Sequence, residues 1–392
     1  MGFESGSFSF RAFYLSRAFD PSDAERLAAR RLPPLKTLTG DQPLHGWAGP
    51  MHALDADLSE EHCWRGDWLW FAHVTARKAV PPSYLRASIL AELEIERRAR
   101  NLEFLPRAAK TEVRERVQEA LLRDAQPSFG SMECAIHLRG QRLFASAMTD
   151  AALQTLAPFF RETTDCMPVV CGPESAAYRL RGMDANAVEL VNLTPNPDLT
   201  PSAQVNLGSE FLTWLFWRWE RENATFRLEG DLCGLMFEGP LLFAGADMPG
   251  CRETVLRHGT PLDTPELGIA LWNGKLLRRA KLTFTRGDWI VSATVDGDTF
   301  AFRSVKVDPP KQPASPPDAA DELPSLKERP AETAGEKRKL GPDERLDRAA
   351  FYLDAFLSLY GEFLDLRGDA AKWRAELAKL RPWIAARAGQ KA

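Results

Sequence analysis

The feature that most constrains the fold is a charged stretch at residues 81–129 that carries one apolar repeat twice. Apolar residues recur at every fourth position before and after Pro106, at Leu85, Ile89 and Leu93 and again at Val113, Val117 and Leu121. Residues four apart lie on the same side of an α-helix, and proline interrupts a helix. The pattern therefore predicts two helices, or one kinked helix, beginning at Pro81-Pro82-Ser83 with the Ser83 hydroxyl as a cap.

Basic residues lie between these apolar positions and form a candidate phosphate-binding surface. Arg100, Arg107 and Arg114 are spaced by seven, so they can share one side of a helix. The candidate contacts in this stretch are Arg97, Arg100, Arg107, Lys110, Arg114 and Arg123. Seven glutamates are interleaved with them, as on a solvated helix whose surface carries many ion pairs. The residues alone leave both interpretations open.

The charge balance of the whole chain limits where a polyanion could bind. The 392 residues include 50 Lys and Arg against 54 Asp and Glu, a net charge of −4, so any such site must be local. A hydrophobic content of 44% suits a globular core, and no apolar run approaches the length that spans a bilayer. The first residues lack the basic and apolar regions of an export signal. We expect a cytoplasmic protein without a membrane partner.

The six cysteines are scattered without a C-x-x-C pair, which argues against zinc ribbons and disulfide frameworks. His62 beside Cys63 is the nearest approach to a metal ligand pair, but adjacent residues on a strand point to opposite faces. The sequence also lacks the P-loop and serine-nucleophile patterns. We therefore predict no metal, no cofactor and no catalytic residue.

The order of the elements predicts an α+β fold with antiparallel sheets and long helices. An aromatic strand at residues 8–19 leads to an Asp20 turn that can cap the next helix. Apolar residues on both faces of the run at 64–80 predict a buried strand, so Trp68 and Trp70, with Trp64, fit a core better than a platform for stacking bases.

Later stretches predict the remaining elements. In order they are two strands around 139–141, a helix at 149–163 capped by Thr149 or Asp150, a buried strand at 167–172, loops with short elements between them at 173–208, a helix at 207–228, and antiparallel strands to 308 with turns at 286–288 and 296–298. Asp296 and Asp298 are turn residues in this interpretation and not a metal-binding pair.

The composition changes sharply near the C-terminus. Residues 309–342 are rich in proline and charge and nearly free of large apolar side chains, which predicts a disordered linker. Apolar residues at helical spacing return in 343–390, which predicts one or two amphipathic helices. The predicted domain organisation is therefore a body at 1–308, the linker, and a helical C-terminal segment.

Four groups of residues, taken in chain order, carry a family resemblance. They are Tyr14-Leu15-Ser16-Arg17 with Gly46-Trp47 and Pro50-Met51, the Pro-Pro-Ser start of the charged helix with Leu121-Leu122 and Phe129, Gly274-Lys275 and Ala280-Lys281-Leu282 with Phe302-Arg303, and the terminal helix from Phe351 to Phe363. Together they resemble the RdgC family, the bacterial recombination-associated proteins. The resemblance spans nearly the whole chain except the linker.

The resemblance implies a ring-shaped homodimer that holds double-stranded DNA in a positively lined hole without sequence preference. The implied role is to coat DNA in the nucleoid and to restrain the RecA recombinase in competition for DNA. It adds a second group of candidate DNA contacts, namely Lys275, Arg278, Arg279 and Lys281. One departure stands out, because the arginine and phenylalanine that end the helix in the family align with Asp124 and Gln126. Arg123 is the candidate replacement for the arginine.

Three functions compete on this evidence. The first is non-catalytic, sequence-independent binding of double-stranded DNA. The second is a metal-dependent exonuclease, for which no carboxylate motif has convincing spacing in the sequence. The third is a protein-interaction scaffold in which the linker and terminal helix recruit a partner.

Overall fold

The computed structural model describes residues 2–38, 42–199, 205–222, 225–245, 251–257, 264–308 and 340–390. The chain divides into two compact units. Unit 1 comprises Met1–Phe13 and Val169–Ala392, and unit 2 comprises Tyr14–Pro168. The predicted C-terminal helical segment lies within unit 1, and the predicted linker lies almost wholly outside the described residues.

Helices and strands alternate irregularly along the chain. In order they are β1 (Phe8–Leu15), α1 (Pro21–Ala29), β2 (Leu44–Ala48), α2 (Glu60–Cys63), β3 (Trp64–Arg65), β4 (Trp68–Lys78), α3 (Pro82–Ala99), α4 (Arg107–Asp124), β5 (Pro127–His137), β6 (Arg142–Ala145), α5 (Asp150–Thr164), β7 (Pro168–Val170), α6 (Pro173–Arg181), α7 (Leu207–Glu222), β8 (Thr225–Leu228), β9 (Asp231–Ala244), β10 (Glu253–Leu256), α8 (Pro265–Trp272), β11 (Leu276–Arg286), β12 (Trp289–Asp296), β13 (Ala301–Asp308), α9 (Pro342–Arg367) and α10 (Ala370–Arg387).

Unit 2 is built on an antiparallel sheet in the order β6-β5-β4-β2, with β3 paired to β4. The predicted strand β4 is buried on both faces, and Trp68 and Trp70 are 0% and 2% exposed. Both tryptophans are therefore core residues, as predicted. Trp47 on β2 donates its indole N–H to the Thr163 hydroxyl of α5 at 3.0 Å, which ties that helix to the sheet.

Unit 1 contains a second antiparallel sheet, in the order β10-β9-β11-β12-β13-β1 with β8 paired to β9. The meander β11-β12-β13 and its turns are confirmed. Helix α9 covers one face of this sheet, and the Tyr352 hydroxyl donates to the carbonyl oxygen of Leu282 at 3.1 Å. Phe356 of α9 packs on Phe211 of α7 and on Phe302, with ring centroids 5.3 and 5.4 Å apart. Aromatic contacts thus form the core between the helices and the sheet.

The structure corrects three local predictions. Ser83 does not cap α3, because the helix starts one residue earlier and Pro81 occupies the cap position. The strand predicted at 167–172 is the short β7, and Val169 is 44% exposed instead of buried. Trp64, predicted to lie in the core with Trp68 and Trp70, is only half-buried. Helix α6 is one of the short elements within the loops at 173–208, and it ends where Gly182 adopts a left-handed conformation with φ 64°. The predicted caps Asp20 and Thr149 are both confirmed by side-chain hydrogen bonds.

A buried histidine makes the stability of unit 2 depend on pH. His73 of β4 is fully buried against His45, Trp47 and Phe159, and neither ring nitrogen has a hydrogen-bond partner among the described residues. Burial and, secondarily, the neighbouring His45 lower the pKa of His73 to about 4. The unfolded chain therefore binds a proton between about pH 6.5 and 4 that the folded chain does not bind. The free energy of unfolding must fall as the pH falls through this window.

We expect His73→Phe to remove this dependence, which amounts to about 3 kcal/mol between pH 7 and 4. Urea unfolding of the wild type and the variant at pH 7, 5.5 and 4.5 measures the difference. His52→Gln, at an exposed histidine of the same unit, serves as the control. Parallel pH profiles of the wild type and His73→Phe would show that His73 is protonated in the folded state.

Candidate nucleic-acid interface

Helices α3 and α4, with the turn between them, form a two-helix hairpin at residues 82–124, which we call the arm. It connects the ends of two paired strands, because Lys78 of β4 lies opposite Pro127 of β5. The apolar repeat has the predicted effect, since Val113 and Val117 of α4 are buried while the matching residues of α3 are half-buried. The predicted interruption is real, and the chain forms two helices separated by residues 100–106.

Helix α3 carries exposed apolar side chains that the sequence pattern did not single out. No residue of α3 is buried, and Tyr84, Leu90 and Ile95 are each 57% exposed or more. Helix α3 packs mainly on α4. The periodic pattern could not reveal this exposure, because it does not say how many sides of a helix are covered.

Several of the predicted basic residues are held in ion pairs within the arm. Glu94 accepts hydrogen bonds from Arg97 and Arg98, each at 2.9 Å, and these bonds lower the pKa of Glu94 to about 2. Glu96 accepts from Arg100, the residue that directly follows α3, at 2.7 Å and from Arg116 of α4 at 3.2 Å. Its pKa is lowered by Arg116 first and Arg100 second.

The end of α4 shows the same pairing. Arg123 lies 3.8 Å from Glu119, and both side chains are more than three-quarters exposed. For Arg97, Arg100 and Arg123 the solvated-helix interpretation therefore fits the contacts, although exposed pairs of this kind are weak and exchange readily.

Three basic residues of α4 lack such ion pairs within the described arm, namely Arg107, Lys110 and Arg114. All three are exposed on α4, and none forms an ion pair or a side-chain hydrogen bond with any residue that the structure describes. They stand at positions i, i+3 and i+7, so they follow one side of the helix over about 10 Å. This side of α4 is a line of three cations that no acidic side chain neutralises in the described ranges.

The second predicted group lies in unit 1, and each member has an internal partner. Lys275 is 8% exposed and donates its Nζ proton to the Thr254 hydroxyl at 2.8 Å. The other three form ion pairs, Arg278 with Asp298 at 2.6 Å, Arg279 with Asp296 at 2.7 Å, and Lys281 with Glu238. These contacts hold the strands together, so the four cations differ from the line on α4.

Two cations of the same sheet were not among the predicted contacts. Arg303 and Lys306 lie opposite Thr294 and Ser292 on β12, on one face of the sheet, because a bulge at Ser304 places an extra residue between them. Neither makes an ion pair with a described residue. In a regular strand, residues three apart point to opposite faces, so the sequence alone would separate Arg303 from Lys306. The left-handed backbone of Ser304, with φ 50°, is what brings both to the same face.

The predicted turn residues have structural roles. Asp298 accepts hydrogen bonds from Asn206 and from the Ser209 hydroxyl at 2.8 Å each, at the start of α7. Within the described ranges, no three His, Cys, Asp or Glu side chains are grouped closely enough to bind a metal ion. His62 is instead bonded to Asp55, with Nε2 and Oδ2 2.7 Å apart.

In the part of the chain that the structure describes, no helix is both long and apolar enough to cross a membrane. The sequence matches no protein-family model and no curated protein.

Proposed function

We propose that this protein binds double-stranded DNA without sequence preference and without catalysing a reaction, through Arg107, Lys110 and Arg114 of the arm. The single observation that carries the proposal is that these three exposed cations have no acidic partner among the described residues, whereas their neighbours do. Phosphate oxygens are the ligands that such a line of cations attracts, and a binding surface that reads only phosphates does not distinguish sequences.

The negative net charge is compatible with this proposal. Binding releases the counterions condensed on the phosphates that the protein touches, so only the local charge of the contact matters. With about three phosphates neutralised by one arm, log affinity falls by about 2.7 for each tenfold rise in salt. The affinity would then drop about fortyfold between 50 and 200 mM salt.

The resemblance to the RdgC family extends the proposal. It adds a ring-shaped homodimer, association with the nucleoid, and competition with RecA for DNA. The resemblance implies a DNA contact for the arginine and a dimer contact for the phenylalanine that end the family's helix, and here Asp124 and Gln126 occupy these positions. The ion pair of Arg123 with Glu119 is exposed and easily broken, so Arg123 remains the candidate replacement at this end of the arm.

A salt series tests the proposal directly. The purified protein is titrated into two labelled duplexes of unrelated sequence at 50 to 200 mM salt, and its mass in solution is measured alongside. We expect equal affinities for the two duplexes and a linear decrease of log affinity with log salt, together with the mass of a dimer. A protein that binds neither duplex at 50 mM salt would contradict the proposal.

One observation favours a second candidate. Tyr84 and Ile95 of α3 are exposed apolar side chains on one side of the helix, and such side chains can contact another protein, which suits an interaction scaffold or a homodimer contact. No comparable observation favours the exonuclease. Loss of labelled DNA ends that depends on magnesium would bring that alternative back.

A further inference from the structure

The tip of the arm is a short turn that is fixed by hydrogen bonds. The amide of Asn101, whose φ is 50°, donates to the Arg98 carbonyl at 3.0 Å, and the amide of Leu102 donates to the Arg97 carbonyl at 3.1 Å. Leu105, 7% exposed, anchors the return of the chain. The backbone on both sides of residue 104 is therefore held in place.

Phe104 projects from this fixed turn. Its side chain is 76% exposed, the largest value among the large apolar side chains of the described residues. An aromatic ring left in water forgoes a stabilisation that burial would provide, so a ring held there by an ordered turn is suited to a contact made outside the chain. Phe104 precedes Arg107, the first of the three unpaired cations, by three residues.

We propose that Phe104 stacks on a nucleobase that is exposed at a single-stranded gap, so that the arm prefers gapped DNA to intact duplex. This inference rests on the proposed function, because Arg107 and its two companions must hold the flanking phosphates. A planar apolar ring beside phosphate-binding cations is the combination by which proteins grip unpaired bases, and such stacking tolerates any sequence. An intact duplex offers the ring no free base face.

The surroundings of the ring favour a nucleic acid over a protein partner. The unpaired cations, which begin three residues after the ring, attract a polyanion. Leu102 is the other exposed apolar side chain of the tip and is 39% exposed, whereas Tyr84, Leu90 and Ile95 lie on α3. Glu103 is the one acidic residue among positions 97–111 and lies beside the ring in sequence. Glu103 opposes phosphate binding but not stacking, which is consistent with a ring that contacts the base and cations that contact the backbone.

The test compares two labelled duplexes of identical sequence, one intact and one with a central four-nucleotide single-stranded gap that contains 2-aminopurine. We expect the wild type to bind the gapped duplex about tenfold more tightly and to quench the 2-aminopurine fluorescence. Phe104→Ala should bind both duplexes equally, with little change in affinity for the intact one and no quenching. Phe104→Trp keeps an aromatic ring at this position and should retain the preference. Leu90→Ala, which truncates an exposed apolar side chain of α3 away from the tip, should leave the preference unchanged.

The outcomes separate this inference from the proposed function. Binding of both duplexes with equal affinity by the wild type overturns the inference and leaves duplex binding standing, whereas binding of neither overturns both. A preference that survives in Phe104→Ala also overturns the inference. If Phe104→Ala instead lowers the mass in solution while the preference persists, the ring belongs to a contact between two copies of the chain.

Discussion

Replacing Arg107, Lys110 and Arg114 together by glutamate should weaken binding to random-sequence duplex by at least about a hundredfold at 100 mM salt. The three replacements remove every unpaired cation from this side of α4 and place like charges against the phosphates. The slope of log affinity against log salt should also shrink by about 3, one unit for each lost contact. Fluorescence anisotropy with a labelled duplex over a salt series gives both quantities.

A matched variant tells local charge from total charge. Lys372, Arg374 and Lys379 of α10 are 61% to 71% exposed, and their replacement by glutamate changes the net charge by the same amount. This control should bind duplex nearly as well as the wild type, and urea unfolding should show both variants folded. Equal loss of binding in the two variants would mean that the three cations of α4 form no specific surface.

Arg367→Met should lower the free energy of unfolding by about 3–5 kcal/mol. Arg367, at the end of α9, donates its Nε proton to Glu210 of α7 at 2.7 Å, and the two side chains are 2% and 6% exposed. Burial raises the pKa of Glu210, and Arg367 opposes this effect. Without the guanidinium the carboxylate stays buried and unpaired, which is more costly than the loss of an exposed pair. Urea unfolding at pH 8 measures the change.

Two comparisons sharpen this prediction. Arg374→Met breaks an exposed contact with Glu189 at 3.6 Å and should cost less than about 1 kcal/mol. In Arg367→Met the folded-state pKa of Glu210 lies above the unfolded value, so the carboxyl takes up a proton on folding and the deficit should be smaller at pH 5 than at pH 8. A deficit below 1 kcal/mol at pH 8 would show that the arginine contributes little to holding Glu210.

The elements that depend on local pattern could be predicted from the sequence. Apolar residues at every fourth position, Val113 and Val117 among them, predicted α4, and the turn residues at 296–298 predicted the meander. Both predictions succeed because they involve residues close together in the chain. The antiparallel α+β character followed from the same patterns. The break between α3 and α4 also followed, since proline interrupts a helix, and Pro106 occupies the N-cap position of α4.

The identity of the free cations could not be predicted in this way. Arg114 and Arg116 are two residues apart in one helix, yet only Arg116 meets Glu96, which lies twenty residues earlier on α3. Lys281 likewise pairs with Glu238 across two strands. Whether a basic side chain is available to a ligand depends on such distant partners, and charge spacing along the chain contains no information about them.

The register of β4 and β5 has a consequence for how this molecule can change over evolutionary time. Because Lys78 and Pro127 are opposite each other on paired strands, the chain leaves the sheet and re-enters it at almost the same point. A tight turn could close the same gap, so the arm is an insertion that could be removed without shifting any strand pair. Selection can therefore lengthen, shorten or recharge the insertion while the sheet beneath it stays intact, which makes it a place where new binding partners can be acquired at little risk to folding.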